Sequence, residues 1–416
     1  MSKRKAATTS TMDSWVTRKK EKVDEVRPVT EKIEGTWKSV ESDLLIYNPV
    51  SIEGRSKIAG FDVDGTVIVT KSGKTFPVDE NDWKFFSPRV TTKLHDLHKN
   101  GFKIVFFTNQ KGIKIGKQCP HEFKRKVEEI SSQIGLPIQV FVSLGSLKFR
   151  KPYIGMWKIL EDEENGGVKV DRSASFYVGD AAGRQRSDSR KTKDHSSADR
   201  FFAMNVGTKF YTPEEFFLDQ TTNEILAPPS FDPSVVLDGT TDLFSPSDTP
   251  IPGVKQELVV LVGFPGCGKS TLAATLKEKY AYNIVNRDSL KTWKKCVDNA
   301  KIYLQRGENV IVDNTNGDVE SRKRYCELAQ KMNVDCRCFV FSCDINQAHH
   351  NIRYRTIAAT DPNHEEVGLM VLRMFKSKYQ EPQLSEGFSS IVKVNFKANF
   401  KSSEDESIYR MFLCES

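Results

Sequence analysis

The chain has 416 residues, 38% hydrophobic and 28% charged, with a formal net charge of +7. That length accommodates two α/β domains and a tail, and the charge suits a polyanionic partner without requiring one. No apolar run reaches the roughly eighteen residues of a membrane span, and the basic start Met1-Ser-Lys-Arg-Lys5 leads into Ser/Thr rather than the apolar stretch of a secretory signal.

Residues 1–35 are rich in Lys, Ser, Thr and Glu and poor in large apolar side chains, so a disordered basic tail is expected. The first globular domain is expected over 36–218. Apolar runs at 58–63, 102–107 and 174–178 read as strands ending in polar or glycine-rich residues, and helical patterns such as 122–134 lie between them. That alternation predicts a parallel sheet with its site at the strand C-termini. Residues 219–256 hold six prolines, which marks them as an extended linker, with Phe231 and Val235-Val-Leu237 as the side chains to pack it. A second α/β unit is expected over 257–416, with strands at 258–262, 310–312 and 338–341. The predicted fold class is therefore α/β, two doubly wound parallel-sheet domains after a tail. The eight cysteines form no C-x-x-C pair, which favours buried reduced thiols over a disulfide framework or a zinc site.

In the first domain, Phe61-Asp-Val-Asp-Gly-Thr66 puts two carboxylates two residues apart on an emerging strand, so both point the same way. Asp62 is the expected nucleophile, forming an aspartyl-phosphate, and Asp64 the acid that protonates the leaving oxygen and then activates water. A carboxylate needs Mg²⁺ to approach a phosphate dianion. Asp62, the Asp64 carbonyl and Asp180 are its expected ligands. Thr108, in Phe-Phe-Thr-Asn-Gln, is placed to bond a phosphoryl oxygen, and Lys151, in Arg-Lys-Pro, to neutralise transition-state charge. This order of motifs resembles the haloacid-dehalogenase phosphatase superfamily. That resemblance implies a second acidic residue beside Asp180; Asp188, Asp194 and Asp199 are candidates, and Asp199 is favoured as the further metal-site residue.

In the second domain, Gly263-Phe264-Pro265-Gly266-Cys267-Gly268-Lys269-Ser270, followed by Thr271, is a P-loop between an apolar strand and a helical segment. Its backbone N–H groups and helix N-terminus suit the phosphates of ATP, with Lys269 on the β- and γ-phosphates and the Ser270 hydroxyl on Mg²⁺. Asp288, in Val-Asn-Arg-Asp-Ser-Leu, is the expected base for an attacking hydroxyl, with a helix N-cap as the plainer alternative. Asp313 takes a Walker-B-like position, as a metal or acceptor-positioning group. Arg353 and Arg355, in His-Asn-Ile-Arg-Tyr-Arg, are expected to close over the triphosphate, or else form a solvated helix face.

Together these blocks, with Arg150-Lys-Pro-Tyr-Ile-Gly-Met-Trp157, Val178-Gly-Asp-Ala-Ala-Gly-Arg184 and Thr212-Pro-Glu-Glu-Phe-Phe217, resemble the metazoan-type polynucleotide kinase 3′-phosphatase family over roughly residues 36–400. The resemblance implies removal of 3′-phosphates and ATP-dependent phosphorylation of 5′-hydroxyls at DNA nicks, gaps and double-strand breaks. RNA ends are the alternative substrate, and no membrane partner is implied. Vertebrate members of that family carry an N-terminal forkhead-associated domain, and 35–50 leading residues are too few to build that sandwich. Recruitment by a repair scaffold through such a domain is therefore not expected. Thr11-Met-Asp-Ser-Trp-Val-Thr-Arg-Lys-Lys20 bears only a distant similarity to a sliding-clamp peptide, lacking its glutamine and paired aromatics. A nuclear location is expected from the function, with Lys3-Arg4-Lys5 and Arg18-Lys-Lys-Glu-Lys22 as short basic clusters. Finally, Lys111, Lys114 and Lys117, and Arg184, Arg186, Arg190, Lys191 and Lys193, follow phosphatase strands and are expected on the rim as non-specific backbone-phosphate contacts.

Overall fold

The computed structural model describes residues 33–415 apart from 146, 188–189, 222–223, 238, 240 and 359–366. The basic clusters at 3–5 and 18–22, the 11–20 segment and Asp188 lie outside the described residues. The chain divides into two compact units, residues 1–229 with 415–416 and residues 230–414.

The first unit is built on strands β1 (Gly35–Val40), β2 (Leu44–Pro49), β3 (Lys57–Phe61), β6 (Phe102–Asn109), β7 (Gln139–Ser143), β8 (Phe176–Val178) and β9 (Lys209–Tyr211), in the order β1-β2-β7-β6-β3-β8-β9. A separate ribbon pairs β4 (Ile68–Val69) with β5 (Lys84–Phe85). The five-strand block from β7 to β9 is parallel, as expected. Antiparallel β1 and β2 extend it at the β7 edge, an addition the motif-based reading missed. Both faces of the parallel block are covered, so its strands read as continuous apolar runs rather than alternating ones. Phe61, Phe106 and Phe176 meet edge-to-face on one side, while Phe107 packs on Phe141, Trp157 and Phe202 on the other. The expected helix at 122–134 spans Pro120–Ile134 and stops where Gly135 takes a left-handed conformation.

Chain order sets the site. From β3 the chain moves outward through β6 to β7, then returns to the opposite side of β3 for β8 and β9. The turn of direction between β3 and β8 opens a crevice above the strand C-termini. Strand β3 ends at Phe61 rather than continuing to residue 63, because Asp62 to Thr66 already form the turn that fills this crevice.

The second unit contains β10 (Phe244–Ser245), β11 (Glu257–Val262), β12 (Asn283–Val285), β13 (Val310–Val312), β14 (Asp335–Phe341) and β15 (Ser390–Val394), in the order β10-β15-β14-β11-β13-β12. All neighbours are parallel except β10 with β15. Residues 219–256 are not a separate extended tether. They divide between the units at 229/230, and the later part supplies a short helix, Ser234–Leu237, and the edge strand β10. Phe231 packs on His350, as expected, and Phe244 on Phe339, whereas Val235 is exposed. None of the eight cysteines forms a disulfide, and seven are buried; Cys119 is exposed. Among the described residues no helix is long and apolar enough to cross a membrane.

Candidate active sites

Asp62 follows β3, its N–H held by the Val178 carbonyl of β8 at 2.9 Å, so the sheet itself fixes the backbone of this residue. Its Oδ1 accepts from Lys151 Nζ at 2.6 Å. Lys151 also donates to Asp199 Oδ1 at 2.7 Å and to the Tyr177 hydroxyl at 2.9 Å, and it is almost fully buried. One ligand oxygen from each of Asp62, Asp180 and Asp199 lies within 4.8 Å of the others. Burial pushes the Asp62 carboxyl up to about 7, against the lowering pull of Lys151. Burial, with the charges of Asp62 and Asp199, drives Asp180 well above the usual carboxylate range. Desolvation pulls the Lys151 ammonium down, but Asp199 and Asp62 outweigh it and hold it above the ordinary lysine value.

Three carboxylates with one lysine are under-neutralised in a low-dielectric site, and their hard oxygen donors fit a divalent cation such as Mg²⁺. Gly65 shows how tightly the crevice is built: it sits at φ +88°, and a Cβ there would fall 2.5 Å from Asp180 Oδ2. Asp199, favoured from sequence, therefore does face Asp180. Its two oxygens are already engaged, Oδ1 by Lys151 and Tyr177 and Oδ2 by the Ala181 N–H at 3.0 Å. That arrangement makes it a holder of Lys151 and a source of charge more than a free ligand. Asp194, another candidate, is instead turned toward Arg184.

Asp64 is about half exposed, and both of its oxygens are held. Gln110 Nε2 donates to Oδ2 at 2.6 Å and Lys126 Nζ to Oδ1 at 3.0 Å. Gln110 also donates to Thr108 Oγ1 at 2.9 Å, leaving that hydroxyl its own proton to give. Gln110, Lys126 and Tyr177 were missed as site residues. Lys126 did carry a signal: it lies on the buried stripe of its helix with Phe123, Val127 and Ile130, where a lysine needs a carboxylate at its tip.

The basic loop after Asp180 departs from expectation. Arg184 is buried, donating to Asp194 at 2.8 Å, Glu214 at 2.8 Å and the Asp180 carbonyl at 3.0 Å. Arg190 pairs with Glu224 at 2.6 Å and Glu214 at 3.1 Å. These two arginines brace the Asp180 loop and are not free for nucleic acid; Asp194 lies within the same segment, but Glu214 and Glu224 lie 24 to 40 residues on, invisible to a local charge count. Arg186, Lys191 and Lys193 are exposed. So are Lys111, Lys114 and Lys117, although Lys114 pairs with Asp43.

In the second unit the P-loop follows β11 and opens the helix Lys269–Tyr280, as the motif requires. Gly266, at φ +83°, lies where a Cβ would meet Ile352 Cγ1 at 2.7 Å and the Ala348 carbonyl at 2.9 Å. Asn351 Nδ2 donates to the Gly266 carbonyl at 2.9 Å while its Oδ1 accepts from the Tyr409 hydroxyl at 2.8 Å. The helix Ile345–Ile357 thus braces the loop with its inward residues. Beside them His350 bonds the Tyr409 carbonyl at 2.9 Å, and burial pulls its imidazole down to about 4. Lys269 is buried and donates to the carbonyls of Gly263 at 3.0 Å and Phe264 at 2.6 Å, whereas Ser270 and Thr271 are exposed.

Asp288 sits on the short helix Arg287–Leu290. Its cap is Asn286, whose side chain accepts from the Asp288 N–H at 2.6 Å, so the capping role does not fall to Asp288. The Asp288 carboxylate is exposed. Asn286 Nδ2 also donates to Asp313 Oδ2 at 3.2 Å, which ties together the loops at the ends of β12 and β13. Arg353 and Arg355 are half-buried on the bracing helix rather than solvated. Among the described residues Arg353 Nε and Nη2 are buried without a hydrogen-bond partner.

Fold and sites together define a haloacid-dehalogenase-like phosphatase joined to a P-loop kinase. The family described as polynucleotide kinase 3 phosphatase matches residues 57–217, and an AAA domain matches residues 258–382. A bifunctional polynucleotide phosphatase/kinase of Schizosaccharomyces pombe is 37% identical over 381 residues, covering 90% of this chain and 88% of the relative. A polynucleotide 3′-phosphatase of Arabidopsis thaliana is 35% identical over 201 residues, 45% of this chain and 28% of that protein. Among solved structures, a D,D-heptose 1,7-bisphosphate phosphatase from B. bronchiseptica, complexed with magnesium and phosphate, shares 17% identity at a TM-score of 0.29, covering 39% of this chain and 87% of that one. The chain belongs to the bifunctional polynucleotide phosphatase/kinase family and is an enzyme with both a phosphatase and a kinase domain.

Proposed function

We propose that this enzyme restores ligatable DNA ends at breaks, hydrolysing 3′-phosphates in its first unit and phosphorylating 5′-hydroxyls with ATP in its second. The observation that carries the reading is the Asp62–Asp180–Asp199 cluster held against Lys151, in the same chain as an intact P-loop. An Asp62 oxygen attacks phosphorus as the P–O3′ bond breaks, and the electron pair leaves on O3′, which takes a proton from Asp64. Asp64 then takes a proton from water as its oxygen adds to phosphorus, the bond to Asp62 breaks, and phosphate departs. Lys151 and the Thr108 hydroxyl face charge on the phosphoryl oxygens. Bound Mg²⁺, on Asp62, the Asp64 carbonyl and Asp180, would offset the repulsion between carboxylates and phosphate, with Asp199 adding charge behind Lys151.

In the kinase unit the exposed Asp288 takes the proton of the 5′-hydroxyl, the P-loop N–H groups and Lys269 hold the triphosphate, Ser270 suits Mg²⁺, and Arg353 and Arg355 add positive charge beside the loop. The acceptor is a nucleic-acid chain, with DNA ends as the reading and RNA ends as the alternative. A nuclear location follows from that role. Duplexes of DNA and of RNA, each nicked, gapped or overhanging and bearing 3′-phosphate and 5′-hydroxyl, test this with and without ATP. DNA ends should be converted at both termini, the 5′ change alone requiring ATP. Preference for RNA ends, or for free nucleotides over oligonucleotides, overturns the reading.

A further inference from the structure

Two side chains converge on Asp64 from separate elements. Gln110, directly after β6, holds Oδ2, and Lys126, in the middle of the helix Pro120–Ile134, holds Oδ1. Lys126 is 4% exposed, its stem packed along the helix's apolar stripe, while the carboxylate it meets is 46% exposed. Burying a lysine is costly, and a surface aspartate gains little from an ordinary ion pair. Stability alone is therefore a poor reason for this lysine to reach Asp64, whereas fixing the direction of its carboxyl is a sufficient one.

We propose that Lys126 and Gln110 are a two-point clamp that aims the Asp64 carboxyl, and that this clamp fits the phosphatase to esters whose leaving oxygen cannot depart without a proton. The inference rests on the reading of Asp64 as the acid/base. When Asp62 bonds to phosphorus and the P–O3′ bond breaks, the electron pair on the sugar oxygen needs the Asp64 proton. Transfer demands hydrogen-bond geometry, which a freely rotating, half-exposed carboxyl meets only part of the time. A nitrophenolate leaves as a stable anion and takes no proton. Lys126 and Gln110 act through Asp64, so they are positioning residues.

The test compares kcat/KM for a 3′-phosphorylated oligonucleotide and for para-nitrophenyl phosphate, in wild type, Lys126→Met, Lys126→Arg and Gln110→Met. This quantity runs through departure of the leaving group and excludes later hydrolysis of the phosphoenzyme. Lys126→Met should lose about 100-fold on the oligonucleotide and less than about 5-fold on the aryl ester. Lys126→Arg, which keeps a donor, should recover part of the oligonucleotide rate, and Gln110→Met should repeat the pattern more weakly. The retained aryl ester rate and hydrogen exchange within residues 33–229 report on folding of the unit that carries the change. If Lys126→Met fails to fold, Gln110→Met decides, because it removes no charge. Equal losses on both esters, or no loss on the oligonucleotide, overturn the clamp. A wild-type enzyme inert toward 3′-phosphate would instead overturn the proposed function.

Discussion

Around Asp62 charge is buried and interlocked, whereas around Asp288 it is open to solvent. Asp62, Lys151, Asp199 and Tyr177 form a continuous chain of hydrogen bonds, and Asp64 is pinned at both oxygens. In the kinase unit Asp288, Ser270 and Thr271 are exposed, and Lys269 spends its donors on carbonyls of its own loop. A covalent nucleophile must have its reacting atom fixed before the phosphate arrives, and low dielectric makes each fixed charge count. A kinase transfers a phosphoryl group between two substrates that bring much of the charge themselves, so its protein groups can stay accessible.

The sharpest way to break this comparison is Asp62→Asn. It should cost about 10⁴-fold in 3′-phosphatase rate while ATP-dependent phosphorylation of a 5′-hydroxyl oligonucleotide survives. Retention of wild-type phosphatase rates would remove the covalent step. Lys269→Ala should do the reverse, with kinase turnover falling about 10³-fold and aryl phosphate hydrolysis holding, as steady-state assays of both activities on one preparation would show.

Mild acid should separate the units by stability. His350 lies under the P-loop with its value lowered to about 4, so the folded state keeps it neutral while the unfolded chain takes up a proton near 6.5. Stability is therefore lost as pH falls below about 6.5, by about 2 kcal/mol at pH 5. Hydrogen exchange resolved by unit should show that loss in residues 230–414. Asp62 works in the opposite sense: its raised carboxyl favours the folded state below about 7, so the first unit should not share the loss through this group. The smallest effect concerns substrate grip. Changing Lys111, Lys114 and Lys117 together to Ala should weaken oligonucleotide binding about 10-fold and lower the salt slope by about 2 rather than 3, since Lys114 is already paired with Asp43. Equal loss of aryl phosphate hydrolysis would show that the loop supports the site instead of gripping the polymer.

Sequence by itself located the candidate groups of both sites, because they are local. Asp62 and Asp64 share one turn, the P-loop is a single segment, and the strand–loop–helix order around each motif follows from apolar runs a few residues long. What only the tertiary structure decided are meetings between distant segments. Asp199 rather than Asp194 reaches Lys151, across 48 residues, because the helix Ala198–Val206 is bonded back onto Ala181 in the loop after β8, while Asp194 is engaged by Arg184. Arg184 and Arg190 look like a basic rim until Glu214 and Glu224 fold against them. Lys126 meets Asp64 across 62 residues. A side chain's type is written locally, but its electrostatic role depends on which charges packing brings within a few ångströms, and that is a property of sheet order and helix placement.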